Sequence, residues 1–432
     1  MLDTLHTLHQ QHLDRLQTAY AELLNRHGYD AVILYSGHST ANFADDQHPS
    51  FATFGHFMHW LPMAEVQHSW LVIQPGQAPR LVLHAPADFW HSATVLPDEP
   101  WVSAFTVEYQ ASPGLPTGLP RRLAAIGDIP DAWATKLGAD NNPVSLVTAL
   151  DELRMVKDEY EIACLREANR LAMQGHLAAA EAFHRDTAEL DIQLAYLGAS
   201  RQRESAVPYQ NIVGLNQHGG VLHYQHYELD APAARRSLLV DAGRRYRGYC
   251  ADITRTHAGN DAPDDFSALI QSMHGLKDDL INAVKPGVDF IDLHLNMHQQ
   301  LGNILLRHGL ISGSAESAVE TGITRAFCPH GLGHSLGLQV HDVAGLRHPD
   351  GSPSPAPPQH PALRLTRELT PGMVVTIEPG LYFIPMLLEP LRNTQAGGLI
   401  QWEQVQRLAP CGGIRIEDNI AVTAHGRDNL TA

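Results

Sequence analysis

Apolar positions near the start of the chain recur at helical intervals: Leu5, Leu8, Leu13, Leu16, Tyr20, Leu23 and Leu24, with Gly28 closing the pattern. That spacing lines one side of an amphipathic helix, and glycine after the last apolar residue is a stop signal. Short runs rich in β-branched and aromatic residues follow at Ala31 to Tyr35, Trp70 to Ile73, Arg80 to Leu83 and Val102 to Val107, and they read as strands. Ser112 to Pro120 alternates proline and glycine and reads as a loop within this region. Long helical patterns begin near Leu150. The pattern predicts a small α/β domain over residues 1–150 and a larger domain over 151–432.

The second domain has a different rhythm, in which apolar strand-like runs end in acids. Ser237-Leu-Leu-Val-Asp241-Ala-Gly243 reads as a buried strand that delivers its last side chain into a site. Tyr249-Cys-Ala-Asp252-Ile-Thr-Arg255 follows after Gly243 and Gly248, so a hairpin is expected to bring Asp241 and Asp252 together. In Met373 to Glu378 the two-residue period sets Thr376 and Glu378 on one face and Val375 and Ile377 on the other. The same rule pairs Arg415 with Glu417 in Gly413-Ile-Arg-Ile-Glu417. With His334, the acids Asp241, Asp252, Glu378 and Glu417 make a hard, oxygen-rich donor set suited to divalent cations. Four converging carboxylates without cations would repel one another, and some would stay protonated. Two dications would bring such a centre close to neutrality.

The histidine segment, Pro329-His330-Gly-Leu-Gly-His334-Ser-Leu-Gly337, admits two other readings. His330 and His334 have the spacing of a zinc-binding helix, but Gly331 and Gly333 argue against a helix there. Gly333-His-Ser335-Leu-Gly337 matches the nucleophile elbow of serine esterases, yet Pro329, His330 and Gly331 stand where an apolar strand is needed. With 27 histidines in the chain, a glycine-rich loop carrying solvated histidines is the plain alternative.

The motifs Asp241-Ala-Gly, Tyr249-Cys-Ala-Asp-Ile-Thr-Arg, His330-Gly-Leu-Gly-His, Thr376-Ile-Glu-Pro-Gly and Gly413-Ile-Arg-Ile-Glu-Asp418 resemble, in order and in loose spacing, those of the prolidase and aminopeptidase P family. The likeness spans roughly residues 151–425. It implies an α/β (α+β) architecture in which a small N-terminal domain precedes a pita-bread domain, a curved antiparallel sheet backed by helices that holds two metal ions in its concave face. Mn²⁺ is the expected ion, with Co²⁺ or Zn²⁺ as alternatives. On the same resemblance Asp241 chelates one metal, His334 and Glu378 the other, Asp252 and Glu417 bridge both, and His330 stands behind them. The implied chemistry is hydrolysis of dipeptides ending in proline, in which two metals lower the pKa of a shared water and Glu378 carries a proton to the leaving nitrogen. His223 and His341 match positions that contact the substrate carbonyl, and Arg415 joins the catalytic set from its strand. Arg364 matches the prolidase position for the substrate carboxylate, and Tyr209 a pocket-lining one. The alternative is an aminopeptidase P acting on longer peptides. Organophosphate hydrolysis is an expected side activity, since the attacking hydroxide does not require a carbon electrophile. A homodimer is expected from the family, with the acidic loop Asn42 to Pro49 directed toward the partner's site.

Composition narrows the partners. A net charge of −17 over 432 residues disfavours nucleic acid and anionic membranes, whose phosphates are bound by Lys and Arg. Cys164, Cys250, Cys328 and Cys411 have no metal-ligand spacing and read as reduced thiols. No apolar run reaches the roughly 18 residues of a membrane span. A cytoplasmic enzyme with a small peptide substrate is the expectation. The proline-rich stretch from Arg347 to Pro361 reads as an inserted surface loop beside the site.

Overall fold

The computed structural model describes residues 2–185 and 187–432 and divides into two compact units, Met1–Cys164 and Leu165–Ala432. In the first, a mixed sheet of order β4-β3-β2-β1-β5-β6 is built from β1 (Ala31–Tyr35), β2 (Trp70–Ile73), β3 (Arg80–His84), β4 (Thr106–Gln110), β5 (Leu123–Ile126) and β6 (Asp140–Asn141). Strand alternation divides its side chains between two cores. Val32 and Leu34 pack with Leu13, Leu16 and Tyr20 of helix α1 (Leu2–His27), Phe57 of α2 (Gly55–Met58), and Trp60. Ala31, Ile33 and Tyr35 pack on the other face with Ala134 of α3 (Asp131–Leu137). Leu146 and Leu150 of α4 (Val144–Met155) complete the first core. Gly28 ends α1 at φ 79°, a left-handed conformation for which a Cβ is a penalty.

One expected strand is displaced. Pro100–Ala104 forms a 3₁₀ turn that buries Trp101, and pairing with β3 starts only at Thr106. Proline at the first position of that turn has no N–H to give a ladder, so the apolar run that looks like one strand is a turn followed by a strand.

The second unit is built on short antiparallel ladders. β7 (Ile212–Leu215), β8 (Ser237–Ala242) and β11 (Ile253–Ala258) form one three-stranded sheet, with the hairpin β9 (Arg245–Tyr246) and β10 (Tyr249–Cys250) inserted between the last two. Arg247 and Gly248 turn that hairpin at φ 50° and 92°. Positive φ at both central residues of a two-residue turn matches the twist of the strands it joins. β12 (Val374–Ile377), β15 (Asp418–Thr423) and β16 (Gly426–Asn429) form a second sheet, and β13 (Gly380–Tyr382) pairs with β14 (Gly413–Arg415). The Glu417 amide donates to the Thr254 carbonyl at 3.0 Å and connects the two three-stranded sheets.

Helices cover one side of this layer. Leu238, Val240 and Ala242 of β8 pack with Ala179 and Phe183 of α5 (Glu159–Phe183) and with Ile192 and Tyr196 of α6 (Glu189–Ser200). Leu239 and Asp241 therefore face the opposite side, where Leu239 meets Ile212 and Tyr224. α7 (Asp264–Ala283) packs on β11, and α8 (Phe290–Arg307) packs on α7. The Arg347 to Pro361 stretch is loop, as expected, but Ser354 and His360 within it are buried.

Trp60 is fully buried and meets Tyr20 edge to face with ring centroids 5.0 Å apart. Trp60→Ala is expected to destabilise the first unit by about 3–5 kcal/mol. Urea unfolding followed by circular dichroism measures this, and an unmoved midpoint would show that the indole does not hold that core together.

Candidate metal centre

Three of the four acids sit where strands break. Asp252 lies between β10 and β11, Glu378 between β12 and β13, and Glu417 between β14 and β15. Asp241 instead projects from within β8 by the alternation described above. A break frees a backbone from its ladder and lets consecutive side chains change direction. So Asp418, next to Glu417, points away and binds Arg255 at 2.8 Å and Lys277 at 2.5 Å.

His334 arrives on an irregular segment that runs beside β12. The amides of Leu336, Thr376 and Glu378 bond to the carbonyls of Val374, His334 and Leu332 at 2.8–2.9 Å. Gly333 makes this approach possible, since a Cβ there would lie 2.1 Å from the Thr376 carbonyl oxygen. The segment is not helical, so the His330 and His334 spacing is not a helix face. Ser335 is 1 % exposed and its hydroxyl donates to the Asp342 carbonyl at 3.0 Å, which turns it away from a nucleophile's position.

The pieces converge closely. His334 Nε2 is 3.4 Å from Asp252 Oδ2 and 3.7 Å from Glu378 Oε1, and single donor atoms of Asp252, His334 and Glu417 lie within 4.8 Å of one another. His334 Nδ1 is 3.0 Å from the Ser335 carbonyl and must donate to it, which leaves the Nε2 lone pair facing the carboxylates. Asp241, Asp252, His334, Glu378, Glu417, His223, His341, Arg364, Tyr209, Arg415 and His330 all line one cavity of about 470 Å³. Arg364 is exposed at its rim, whereas Arg367 is buried and does not line it.

Other side chains hold the acids in place. The Tyr209 hydroxyl lies 2.7 Å from Asp241 Oδ1 and 2.5 Å from Asp252 Oδ1. Arg415 donates to Asp241 Oδ2 at 2.6 Å, to the Tyr382 hydroxyl at 2.9 Å and to Thr254 Oγ1 at 3.2 Å. Its guanidinium thus braces Asp241 and reaches Glu417 only through Thr254, while both residues line the same cavity, as their shared strand face predicts. Thr254 donates to Glu417 Oε2 at 2.7 Å, and the Asn419 side chain bonds both the amide and the carbonyl of Asp252. Tyr382 also bonds His330 Nε2 at 2.8 Å, and His330 Nδ1 comes within 3.9 Å of Glu378. Sequence reasoning missed Thr254, Tyr382 and Asn419. Thr254 was within reach, because the two-residue period puts it on the face of Asp252. Tyr382 reaches Arg415 through the β13–β14 pairing, which no local pattern announces.

Electrostatics show a site short of positive charge. Burial lifts the Glu378 carboxyl to about 7, with His334 opposing. Burial also drives Glu417 far above the usual carboxylate range, and Asp252, Glu378 and Asp241 add to it. Asp241 is raised by burial despite Arg415. Burial works to raise Asp252 too, but the contact with His334 pulls it down, and burial of His334 is overcome by Asp252 and Glu378 so that its imidazole is raised. Glu417 Oε1 is buried without a hydrogen-bond partner. Protons stand here where cations would serve better, and a buried acidic cluster with an unpartnered carboxylate oxygen is a donor set that suits cations. Four carboxylates and one imidazole fit a binuclear centre of divalent ions.

Comparison with known proteins agrees with this geometry. Residues 163–424 match the family model described as "Metallopeptidase family M24", and residues 7–151 match "Xaa-Pro dipeptidase, N-terminal domain". The chain is 49 % identical to a Xaa-Pro dipeptidase of Marinobacter nauticus over 426 residues, covering 98 % of this chain and 97 % of the relative. A Xaa-Pro dipeptidase of Edwardsiella ictaluri is 43 % identical over 438 residues, covering 100 % and 99 %. Among solved structures, aminopeptidase P from E. coli with the inhibitor Pro-Leu superposes with a TM-score of 0.73 at 21 % identity, covering 99 % of this chain and 95 % of that one. Proline aminopeptidase P II from Yersinia pestis gives 0.72 at 22 %, covering 99 % and 96 %. These structures share the pita-bread fold expected from the sequence.

Gly333→Ala is expected to push the His334 segment off β12 and destabilise the protein by about 1–3 kcal/mol. Gly398→Ala, where an added Cβ meets nothing within 4 Å, serves as the control. Equal melting temperatures for the two variants would contradict the close packing described for Gly333.

Proposed function

The chain belongs to metallopeptidase family M24, and from that premise we propose that it is a binuclear Xaa-Pro dipeptidase, which hydrolyses dipeptides whose second residue is proline. The observation that carries the reading is the convergence of four carboxylates and one imidazole on one cavity, with a carboxylate oxygen of Glu417 left unpartnered. Asp241, Asp252, His334, Glu378 and Glu417 would hold the two ions. Mn²⁺ suits these hard donors best, and Co²⁺ and Zn²⁺ fit the same residues. When bound, the ions supply an activated water and polarise the scissile carbonyl.

The chain's own groups do the rest. Glu378 takes the proton of the attacking water and passes it to the departing proline nitrogen. That nitrogen carries no N–H in the substrate and leaves poorly unless protonated. Burial, then the neighbouring His334, press the pKa of His341 down to about 4, so its ring is neutral near pH 7 and can donate an N–H to the substrate carbonyl oxygen. His223, on the same cavity wall, is assigned the same partner. Arg364 at the rim receives the substrate's free carboxylate, a pairing that confines the enzyme to short substrates. Tyr209 lines the pocket and steadies Asp241 and Asp252, while Arg415 lines the same cavity and positions Asp241.

Among the described residues no helix is long and apolar enough to cross a membrane. Cys250, Cys328 and Cys411 are buried free thiols, which supports a reducing cytoplasm as the compartment. A homodimer belongs to the same reading on family likeness, and light scattering tests it.

Chelator-stripped protein is expected to regain cleavage of Ala-Pro, and not of Ala-Pro-Ala, on addition of Mn²⁺. Preference for the tripeptide would make it an aminopeptidase P, and inactivity on both would overturn the peptidase reading. Arg364→Leu is expected to raise KM for Ala-Pro about ten- to a hundredfold with kcat little changed, the loss of one charge-assisted hydrogen bond. A fall in kcat at constant KM would remove Arg364 from carboxylate recognition.

A further inference from the structure

Helix α8 turns an apolar face inward, and two histidines one turn apart, His294 and His298, stand on it among Leu293, Met297 and Leu301. Both are 1 % exposed. His360, from the proline-rich stretch, closes the third side and is also buried. The ring centroids lie 4.7, 4.5 and 4.8 Å apart, and single ring nitrogens of all three fall within 4.8 Å of one another.

The simplest account is a packed aromatic cluster, but the polar atoms do not fit it. Both ring nitrogens of His294 and both of His298 are buried without a hydrogen-bond partner. A neutral imidazole carries one N–H and one lone pair, so each ring leaves a donor and an acceptor unmade, and a buried polar group left so is costly. Contrast His12, which sits in another buried group with His59 and Glu161. Both nitrogens of His12 are committed at 2.7 Å, to Asp158 and to the His59 carbonyl, and Arg15 binds Glu161 at 2.9 Å. That group is anchored on carboxylates, with His59 Nε2 3.3 Å from Glu161 Oε1, whereas the three members of the α8 cluster are all imidazoles.

We propose that His294, His298 and His360 form a second metal site, for a borderline transition-metal dication such as Zn²⁺, which clasps the proline-rich stretch to helix α8. Histidines at i and i+4 on one helix face are a common zinc-binding pair, and a third imidazole with a water completes a tetrahedron. Zn–N bonds of about 2.0 Å place ligand nitrogens about 3.3 Å apart, so ring movements of up to about 1 Å close the observed spacing on one ion. Burial, with the neighbouring imidazoles, presses His294 to about 2 and His298 to about 3, which keeps both rings in the neutral form that binds metal. The nearby cation, Arg325, donates to the Val319 carbonyl at 3.3 Å.

Donor chemistry separates this site from the active centre. Three imidazoles favour Zn²⁺, Ni²⁺ or Cu²⁺ over Mn²⁺, whereas the carboxylate centre accepts hard ions. The position suggests a purpose. His360 is held in a tight turn by Pro357 and Leu363, and it precedes Ala362 and Arg364 of the cavity wall. An ion on His360 fixes the base of the segment that presents Arg364.

Native mass spectrometry of Zn²⁺-equilibrated full-length protein tests this. Wild type is expected to hold one more Zn²⁺ per chain than either His298→Gln or His360→Gln. A variant with Asp252→Asn and Glu417→Gln should lose ions from the carboxylate centre and keep this one, which separates failure here from failure of the peptidase reading. His360→Gln lies on a loop and guards against misfolding of the helix variant. Zn²⁺ should also raise the melting temperature of the carboxylate variant, and the rise should vanish when His360→Gln is added. Equal Zn²⁺ stoichiometry in wild type and both histidine variants would overturn the proposal.

Discussion

Mutual repulsion among four carboxylates that line one cavity is the constraint that organises the second unit. Two unit charges about 4 Å apart at an effective dielectric of 20 repel by about 4 kcal/mol, and donor atoms of Asp252 and Glu417 lie within 4.8 Å of each other. The fold holds the acids together with donors whose own positions are set elsewhere: Tyr209 between Asp241 and Asp252, Arg415 on Asp241, Thr254 on Glu417 and Asn419 on the Asp252 backbone. What this lattice leaves uncompensated is expressed as raised carboxyl pKa values and as the unpartnered oxygen of Glu417. The deficit is the site's affinity for cations.

Strand architecture follows from the same need. A continuous ladder would send alternate residues to opposite faces and space same-face side chains at regular intervals along each strand. Breaking the ladders at Asp252, Glu378 and Glu417 lets side chains from different ladders meet at one point, and the Thr254–Glu417 bridge keeps the broken pieces in register. Helices α5 and α6 cover the other face of β8, so the hydrophobic core and the acidic site are assigned to opposite sides by a single parity. A one-residue slip of β8 would exchange them.

The proposed centres divide their ions by donor type. Carboxylates collected from strand ends make a hard, open cavity where substrate enters. Imidazoles, two of them on a buried helix face, make a borderline, closed cluster against the proline-rich stretch. Sequence reasoning treats that stretch as surface, because proline-rich composition signals exposure on average, and the burial of His360 depends on α8, far away in sequence.

Much of the active site is legible without coordinates. Asp241, Asp252, Glu378 and Glu417 each end or interrupt an apolar run; one such acid alone reads as structural, and their joint occurrence with the family motifs marks them. The opening helix and most first-unit strands are legible because burial on one side imposes a period. The proline at position 100 hides a turn inside an apolar run, and there the pattern misleads. By itself the sequence determined which residues are candidate ligands, which faces are buried, and which family the motifs resemble. Only the tertiary structure decided that Arg415 braces Asp241, that Tyr209 joins two acids, that Tyr382 ties His330 to Arg415, and that three distant histidines meet behind the proline-rich stretch. Periodicity is a property of consecutive residues and is written along the chain, whereas the partner of a buried polar atom depends on which ladders pair and in which register, and that is settled only when the whole core closes.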